Sequence, residues 1–263
     1  MFFNRKKKPI ILRAYHSNKH AVEFWPPAPA SKYIPRWWRN LERLPKNYWA
    51  IEHKNGWKAS HPTRPTMAQC PGFVSLYQEG FILPFHFDFV VTVEDDGFSY
   101  SASVGDACEI ESKEKFTASV SFHDAEQTAG WIEDTHQNVK VTTGWYFACE
   151  EPIRFLLMEP QYLDGWSHEY FQPAGVIDFK YNRIASVHLF VRREDQQIFF
   201  KQGTPSWHII PLTERPVELR VEHKVESEIR KLAPRYYNLG SFAGGYNRAM
   251  KKINELRKEK YGR

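Results

Sequence analysis

Apolar and polar positions alternate along much of this chain with the two-residue period of a half-buried strand. The clearest stretch runs from Pro173 to Thr213, PAGVIDFKYNRIASVHLFVRREDQQIFFKQGTPSWHIIPLT. Its β-branched and aromatic runs VHLFV, QQIFF and WHIIPL predict three short strands after a tight turn, with Gly203-Thr204-Pro205 as the last turn between them. By the same signals PIILRAY is a strand near the N-terminus. VSLYQEGFILPFHFDFVVTVEDDGFSYSASV reads as several strands divided by Gly80 and by a hairpin turn at Asp95-Asp96-Gly97. A further strand is expected around Phe116 to Phe122, more in NVKVTTGWYFACEEPIRFLLMEP with breaks at Gly144 and Pro152, and an edge-like strand in PVELRVEH.

The period then changes. Val221, Val225, Ile229 and Leu232 fit one helical face before Pro234, and Tyr246, Met250, Ile253 and Leu256 fit another. Upstream, FWPPAPASKYIPRWWRNLERLP is punctuated by prolines, which remove ladder donors and push their predecessors toward extended geometry. This segment predicts an extended arm over the surface, with a short helix around Arg36 to Leu44 and with Trp37 and Trp38 packed down. The expected fold is mainly β: a sandwich or barrel of short antiparallel strands with an extended Pro-rich N-terminal arm and a C-terminal α-helical extension. The segments divide as 1–65 (basic tail and arm), 66–222 (β core) and 223–263 (basic helical extension).

Composition sharpens this picture in three ways. With 42% hydrophobic and 25% charged residues among 263, the chain has enough apolar surface for a packed core and is not globally disordered. The net charge of +5 is concentrated at the ends, in Arg5 to Lys8 and from Arg248 to Lys260, while Glu94 to Glu151 is acidic. Basic ends of this kind can touch nucleic acid, an acidic partner surface or only water. The three cysteines, Cys70, Cys108 and Cys149, are far apart and form no CxxC pair, which points away from a zinc ribbon or a disulfide framework and toward a reducing cytoplasm. Packing inside the fold is expected for each. No run is long and apolar enough to span a bilayer, and IILRAYHSNKH lacks the continuous apolar region of a signal peptide. No membrane is therefore expected as a partner.

Two groupings have chemical potential. His86-Phe87-Asp88 is an HxD on an expected strand, where residues two apart share a face. With His208, or with His123, it would make the two-histidine, one-carboxylate set that holds iron in oxygenases. Arg215 follows as a carboxylate clamp. The competing account makes His86 and Asp88 polar residues beside a turn. The second grouping is Ala174 to Tyr181, AGVIDFKY, in which Asp178 and Tyr181 are candidate catalytic residues and Asp178 alternatively caps a turn. There is no GxGxxG, no GxxxxGK[ST], no GxSxG and no HExxH.

The glycine, two aliphatics, aspartate and tyrosine of this second stretch resemble the nucleotide-binding segment of dUTPases, and residues 174–211 follow that fold in outline. The resemblance implies that Asp178 activates water and Tyr181 stacks on the sugar. Lys180 departs from the pattern, and the phosphate-contacting serine motif is missing. More of the chain, in the order PAPASKYIPRWWRNL, CPGF, GVID and GTPSWHIIPL, resembles uncharacterised β-rich proteins of tailed, marine T4-like bacteriophages. That resemblance implies a phage protein made in the host cytoplasm. The expected function is non-enzymatic: a virion structural or assembly component, capsid-, neck- or tail-associated. Its partners would be other virion proteins in a homo- or hetero-oligomer. The alternatives are a 2-oxoglutarate/iron-type oxygenase or dUTPase-like hydrolase, and an intracellular protein binding a host factor or nucleic acid.

Overall fold

The computed structural model describes residues 8–42, 66–94, 100–104, 119–122, 130–132, 135–161, 163, 169–180, 184–194 and 196–232, together with four positions between 251 and 259. The chain is mainly β, and its sheets do not close into a barrel. Strand β1 (Ile10–His16) lies between β7 (His136–Cys149) and β14 (Val217–His223) in a six-stranded sheet. On its other edge β7 carries β11 (Ile184–Arg192), which in turn pairs with the short β9 (Tyr170–Phe171). Strand β6 (Ser119–Phe122) also pairs with β7.

One expectation is corrected here. β1 and β14 run parallel over seven residues, from Ile10 opposite Val217 to His16 opposite His223, so the strands are not all antiparallel. Ile10, Leu12 and Ala14 of β1 are fully buried in the main core. Strand β14 keeps its expected edge place. Its Val217, Leu219 and Val221 pack against the core while Glu218 and Arg220 face outward and pair with each other at 2.8 Å.

The second sheet is antiparallel and five-stranded. In order across the sheet it holds β10 (Gly175–Ile177), β8 (Phe155–Met158), β13 (Pro205–Pro211), β3 (Phe81–Pro84) and β2 (Ala28–Pro29). The third sheet has three strands: β12 (Gln196–Phe200), β4 (Phe89–Val93) and β5 (Tyr100–Val104). The pairing of β4 with β5 is the predicted hairpin, although residues 95–99, including Asp95-Asp96-Gly97, lie outside the described part. The strands predicted at VHLFV, QQIFF and WHIIPL all form, yet each enters a different sheet.

One core spans the three sheets. Phe89 and Phe200 stack at 4.4 Å within the third sheet, and Tyr170 of the first sheet reaches Phe200 at 5.1 Å. Phe179, just past β10, sits 4.9 Å from both Phe147 of β7 and Phe155 of β8. The Trp207 indole N–H on β13 donates to the Ser186 carbonyl on β11 at 3.1 Å, a polar link between the two larger sheets. Offset and edge-on rings at these separations add to the burial of their area.

Helix α1 (Lys19–Phe24) follows β1, its first turn capped by the Asn18 carboxamide accepting from the Ala21 N–H. Helix α2 (Arg36–Arg39) is shorter than expected. VSLYQ, read above as strand, belongs to helix α3 (Pro71–Gln78): Pro71 stands in its first turn, where a missing N–H costs nothing, and Gly80 follows its end. Trp38 of α2 meets Tyr77 and Phe73 of α3 at 4.8 and 5.8 Å, so α2 packs against α3. Helix α4 (Glu226–Leu232) begins after Val225, which is 51% exposed; of the predicted stripe, Val221 belongs to β14 and packs against the core, and Ile229 and Leu232 of the helix reach inward against Tyr15 and Tyr146. Of the last predicted helix, Lys251, Glu255, Lys258 and Glu259 are helical and exposed, and its apolar stripe lies outside the described residues. No described helix is long and apolar enough to cross a membrane.

Candidate functional site

The His86-Phe87-Asp88 motif does not lie on a strand. It forms the turn between β3 and β4, held by Gln202, whose side chain donates to the His86 carbonyl at 2.7 Å and whose backbone N–H donates to Asp88 Oδ1 at 2.5 Å. His86 is buried and Asp88 exposed, so they do not share a face. His208, on β13 opposite Ile82, donates from Nε2 to the Glu79 carbonyl at 2.7 Å and faces a cavity of about 10 Å³, room for one water at most. Burial lowers its pKa, partly offset by the Glu79 bond. Among the described residues no three His, Cys, Asp or Glu side chains form a group able to hold a metal ion, so His86, Asp88 and His208 do not converge on an iron site. His123 lies outside the described residues.

His86 has a different neighbour. Its ring meets His16 edge to face at 4.6 Å, and His16 in turn meets Trp145 at 4.9 Å. His16 Nδ1 accepts the Asn18 N–H at 2.9 Å, and Nε2 donates to the Thr143 carbonyl at 3.2 Å. These two bonds fix one neutral tautomer. Burial brings the His16 pKa down to about 4, and burial together with His16 and His20 holds His86 well below the ordinary histidine value. His86 Nδ1 is buried with no partner. The two rings are neutral near pH 7, desolvated, and packed against each other inside the fold.

Asp178 follows β10, buried, with Oδ1 accepting the Lys180 N–H at 3.0 Å. This is the turn-capping role. Tyr181 lies outside the described residues. Arg215 clamps a carboxylate of its own chain, Glu151, through both of its terminal nitrogens, and donates to the Lys8 carbonyl at 2.7 Å. Cys149 is buried, its thiol pKa raised chiefly by burial, whereas Cys70 is exposed, contrary to expectation. Cys108 is outside the described residues.

The feature that sequence reasoning missed is a cationic hollow of about 260 Å³ where residues 32–39 meet the turn before β13. Lys32, Tyr33, Arg36, Arg39, Gly203 and Pro205 line it. Local backbone builds it in steps. A 3-10 turn at Ala30–Tyr33 carries Lys32, the extended Ile34-Pro35 step redirects the chain, and α2 then presents Arg36 and Arg39. The opposite wall exists because Gly203, at φ +87°, brings the β12–β13 turn into direct contact with the Trp25 ring, too close for any side chain at 203. Among the described residues no carboxylate pairs with Lys32, Arg36 or Arg39. Burial pushes the Tyr33 phenol up to about 12, so it stays protonated and able to donate. Helical spacing gave no warning, because Pro35 interrupts it. The visible signal was three cations between Glu23 and Glu42 with no acid among them.

Comparison with family models, curated proteins and solved structures finds no match to this chain.

Proposed function

We propose that this chain is a non-enzymatic bacteriophage protein, a virion structural or assembly component that acts through protein-protein contacts. One observation carries the reading: large apolar side chains stand at the surface while the polar residues suited to chemistry are engaged in the fold. Phe24, Trp131 and Phe199 are 57%, 56% and 53% exposed. Asp178, His208 and Asp88 are each bound to backbone N–H or carbonyl groups of the chain itself. Exposed aromatic anchors are the side chains that carry most interface energy when a partner covers them. The order of motifs shared with tailed-phage proteins supplies the phage part of the proposal. In this reading the six- and five-stranded sheets are the two layers of a sandwich, supported by the Phe147, Phe179 and Phe155 rings between β7 and β8.

The test is mass spectrometry of purified, denatured particles alongside affinity purification of the tagged chain from infected cells. A virion component is present at a fixed copy number per particle; an assembly factor is absent there but co-purifies with structural proteins. A chain found in neither setting refutes both forms of the proposal.

A further inference from the structure

We propose that β14 is the edge through which two copies of this chain pair, antiparallel and about a two-fold axis at Leu219, so that their six-stranded sheets join into one. The pairing names a second copy as one partner of the assembly role proposed above, and it stands whether or not the chain enters a particle. Position comes first. β14 is the last strand of its sheet among the described residues, seven residues long, with no glycine, proline or bulge inside it. Such an edge is a template for another strand. Two bonds fix the direction of its backbone groups: the Ile10 N–H donates to the Pro216 carbonyl at 2.8 Å, and the Lys224 N–H donates to the His16 carbonyl at 3.2 Å. In a continuous parallel ladder the even-numbered residues from 216 to 224 therefore face β1. Val217, Leu219 and Val221 turn their N–H and C=O groups away from it, toward the edge.

Side-chain order selects the occupant. Along β14 the inward row is Val217, Leu219 and Val221, all partly exposed, and the outward row is Glu218, Arg220 and Glu222. A two-fold axis at Leu219 sets Leu219 against its own copy and Val217 against Val221 of the second copy, apolar on apolar. It also sets Glu218 against Arg220 of the second copy, twice, at the non-hydrogen-bonded positions where side chains approach closest. Both of these side chains are 47% exposed and hold each other within one chain at 2.8 Å, a surface pair of little net worth, and the exchange leaves no charge unpaired. Shifted registers fit less well. An axis at Arg220 opposes Arg220 to itself and Glu218 to Glu222. An axis at Val221 opposes Leu219 to His223, whose Nε2 donates to the Ser17 carbonyl at 2.9 Å, and calls on Glu222, which already pairs with Arg13 at 3.1 Å. A foreign strand would need the same alternation of charge; a second copy has it by symmetry. So short an edge makes a weak, concentration-dependent dimer.

The experiment is sedimentation velocity of the purified full chain from 2 to 200 µM, at 50 and 500 mM NaCl. The parent's mean mass is expected to rise with concentration toward that of two chains and no further. It should rise less at 500 mM, where exposed charges are screened. Glu218→Arg and Arg220→Glu each set like charges opposite one another, and each is expected to weaken association roughly tenfold or more. An equimolar mixture of the two variants, and the double variant Glu218→Arg/Arg220→Glu, restore opposite charges at both positions and are expected to regain the parent's association. Recovery on mixing is a result that a structural role of either residue alone would not give. Both side chains are exposed, so melting curves close to the parent's are expected. If one single variant does not fold, loss in the other with recovery in the double variant decides the matter. A parent that stays monomeric overturns the proposal, as do single variants that associate like the parent, a mixture that fails to recover, or growth beyond two copies. None of these results bears on the particle test, which asks only where the chain is found.

Discussion

The rings of His16 and His86 meet edge to face at 4.6 Å, both buried, one from the last residue of β1 and the other from the turn after β3. This contact joins the first sheet to the turn that leads into the third, and it has a consequence in acid. Both groups are neutral in the folded chain, with pKa values lowered by burial, His16 to about 4. The unfolded chain takes up these protons near pH 6.5, and the folded chain does so only far below. Stability is therefore full above about pH 7 and falls as the pH drops from about 6.5 toward 4, by about 3 kcal/mol for His16 alone. Urea unfolding at pH 7.5, 5.5 and 4.5 measures this. The His86→Leu variant should lose part of the slope, and a flat profile in the parent would show that the pair is not desolvated.

Gly144 permits the contact. At φ +72° it makes the bulge in β7, and a Cβ there would lie 2.6 Å from His16 Nε2. Gly144→Ala is expected to cost about 2 kcal/mol or more, from left-handed strain and from displacement of His16 off the Thr143 carbonyl. Thermal unfolding reads the loss, and an alanine variant as stable as the parent would contradict the geometry.

The two neighbouring tryptophans of α2 should behave differently. Trp38 packs on Tyr77 and Phe73, so Trp38→Ala is expected to destabilise by about 2 kcal/mol. Trp37 is 42% exposed, and Trp37→Ala should stay within about 0.5 kcal/mol. Denaturant midpoints of the two variants side by side check the contrast. Equal losses would mean that both rings hold α2 in place.

Asp178 separates a turn cap from a catalytic base. Asp178→Ala is expected to cost about 1 kcal/mol through the lost bond to the Lys180 N–H, and Asp178→Asn less, because a carboxamide oxygen accepts the same bond. Calorimetric melts of both variants test this. A pyrophosphate-release assay on deoxynucleotides that responds to Asp178→Asn would assign the residue to chemistry instead.

Several elements were legible in the sequence because their signal is local. PIILRAY, QQIFF and PVELRVEH carry strand periodicity, and the pairing of Val93 with Tyr100 agrees with a hairpin at Asp95-Asp96-Gly97. Asp178 could be read as a cap because the group it holds is two residues away. The helix at Pro71–Gln78 was misread because VSLYQ has strand-like composition, and the proline that starts the helix weighed less than the residues inside it. HxD looked like a metal pair only if strand geometry continued through it. Gln202, 116 residues further along the chain from His86, holds that segment as a turn.

The sequence by itself determined strands such as PIILRAY, QQIFF and PVELRVEH, because alternation and turn chemistry act over a few residues. Only the tertiary structure decided that VHLFV, QQIFF and WHIIPL would go to three sheets, that β1 and β14 would lie parallel, and that Lys32, Arg36 and Arg39 would share a hollow with Gly203. Those outcomes depend on which buried surfaces meet, such as Trp25 on Gly203 and Phe179 between Phe147 and Phe155. Such contacts join residues far apart in the chain, and no short-range pattern specifies them.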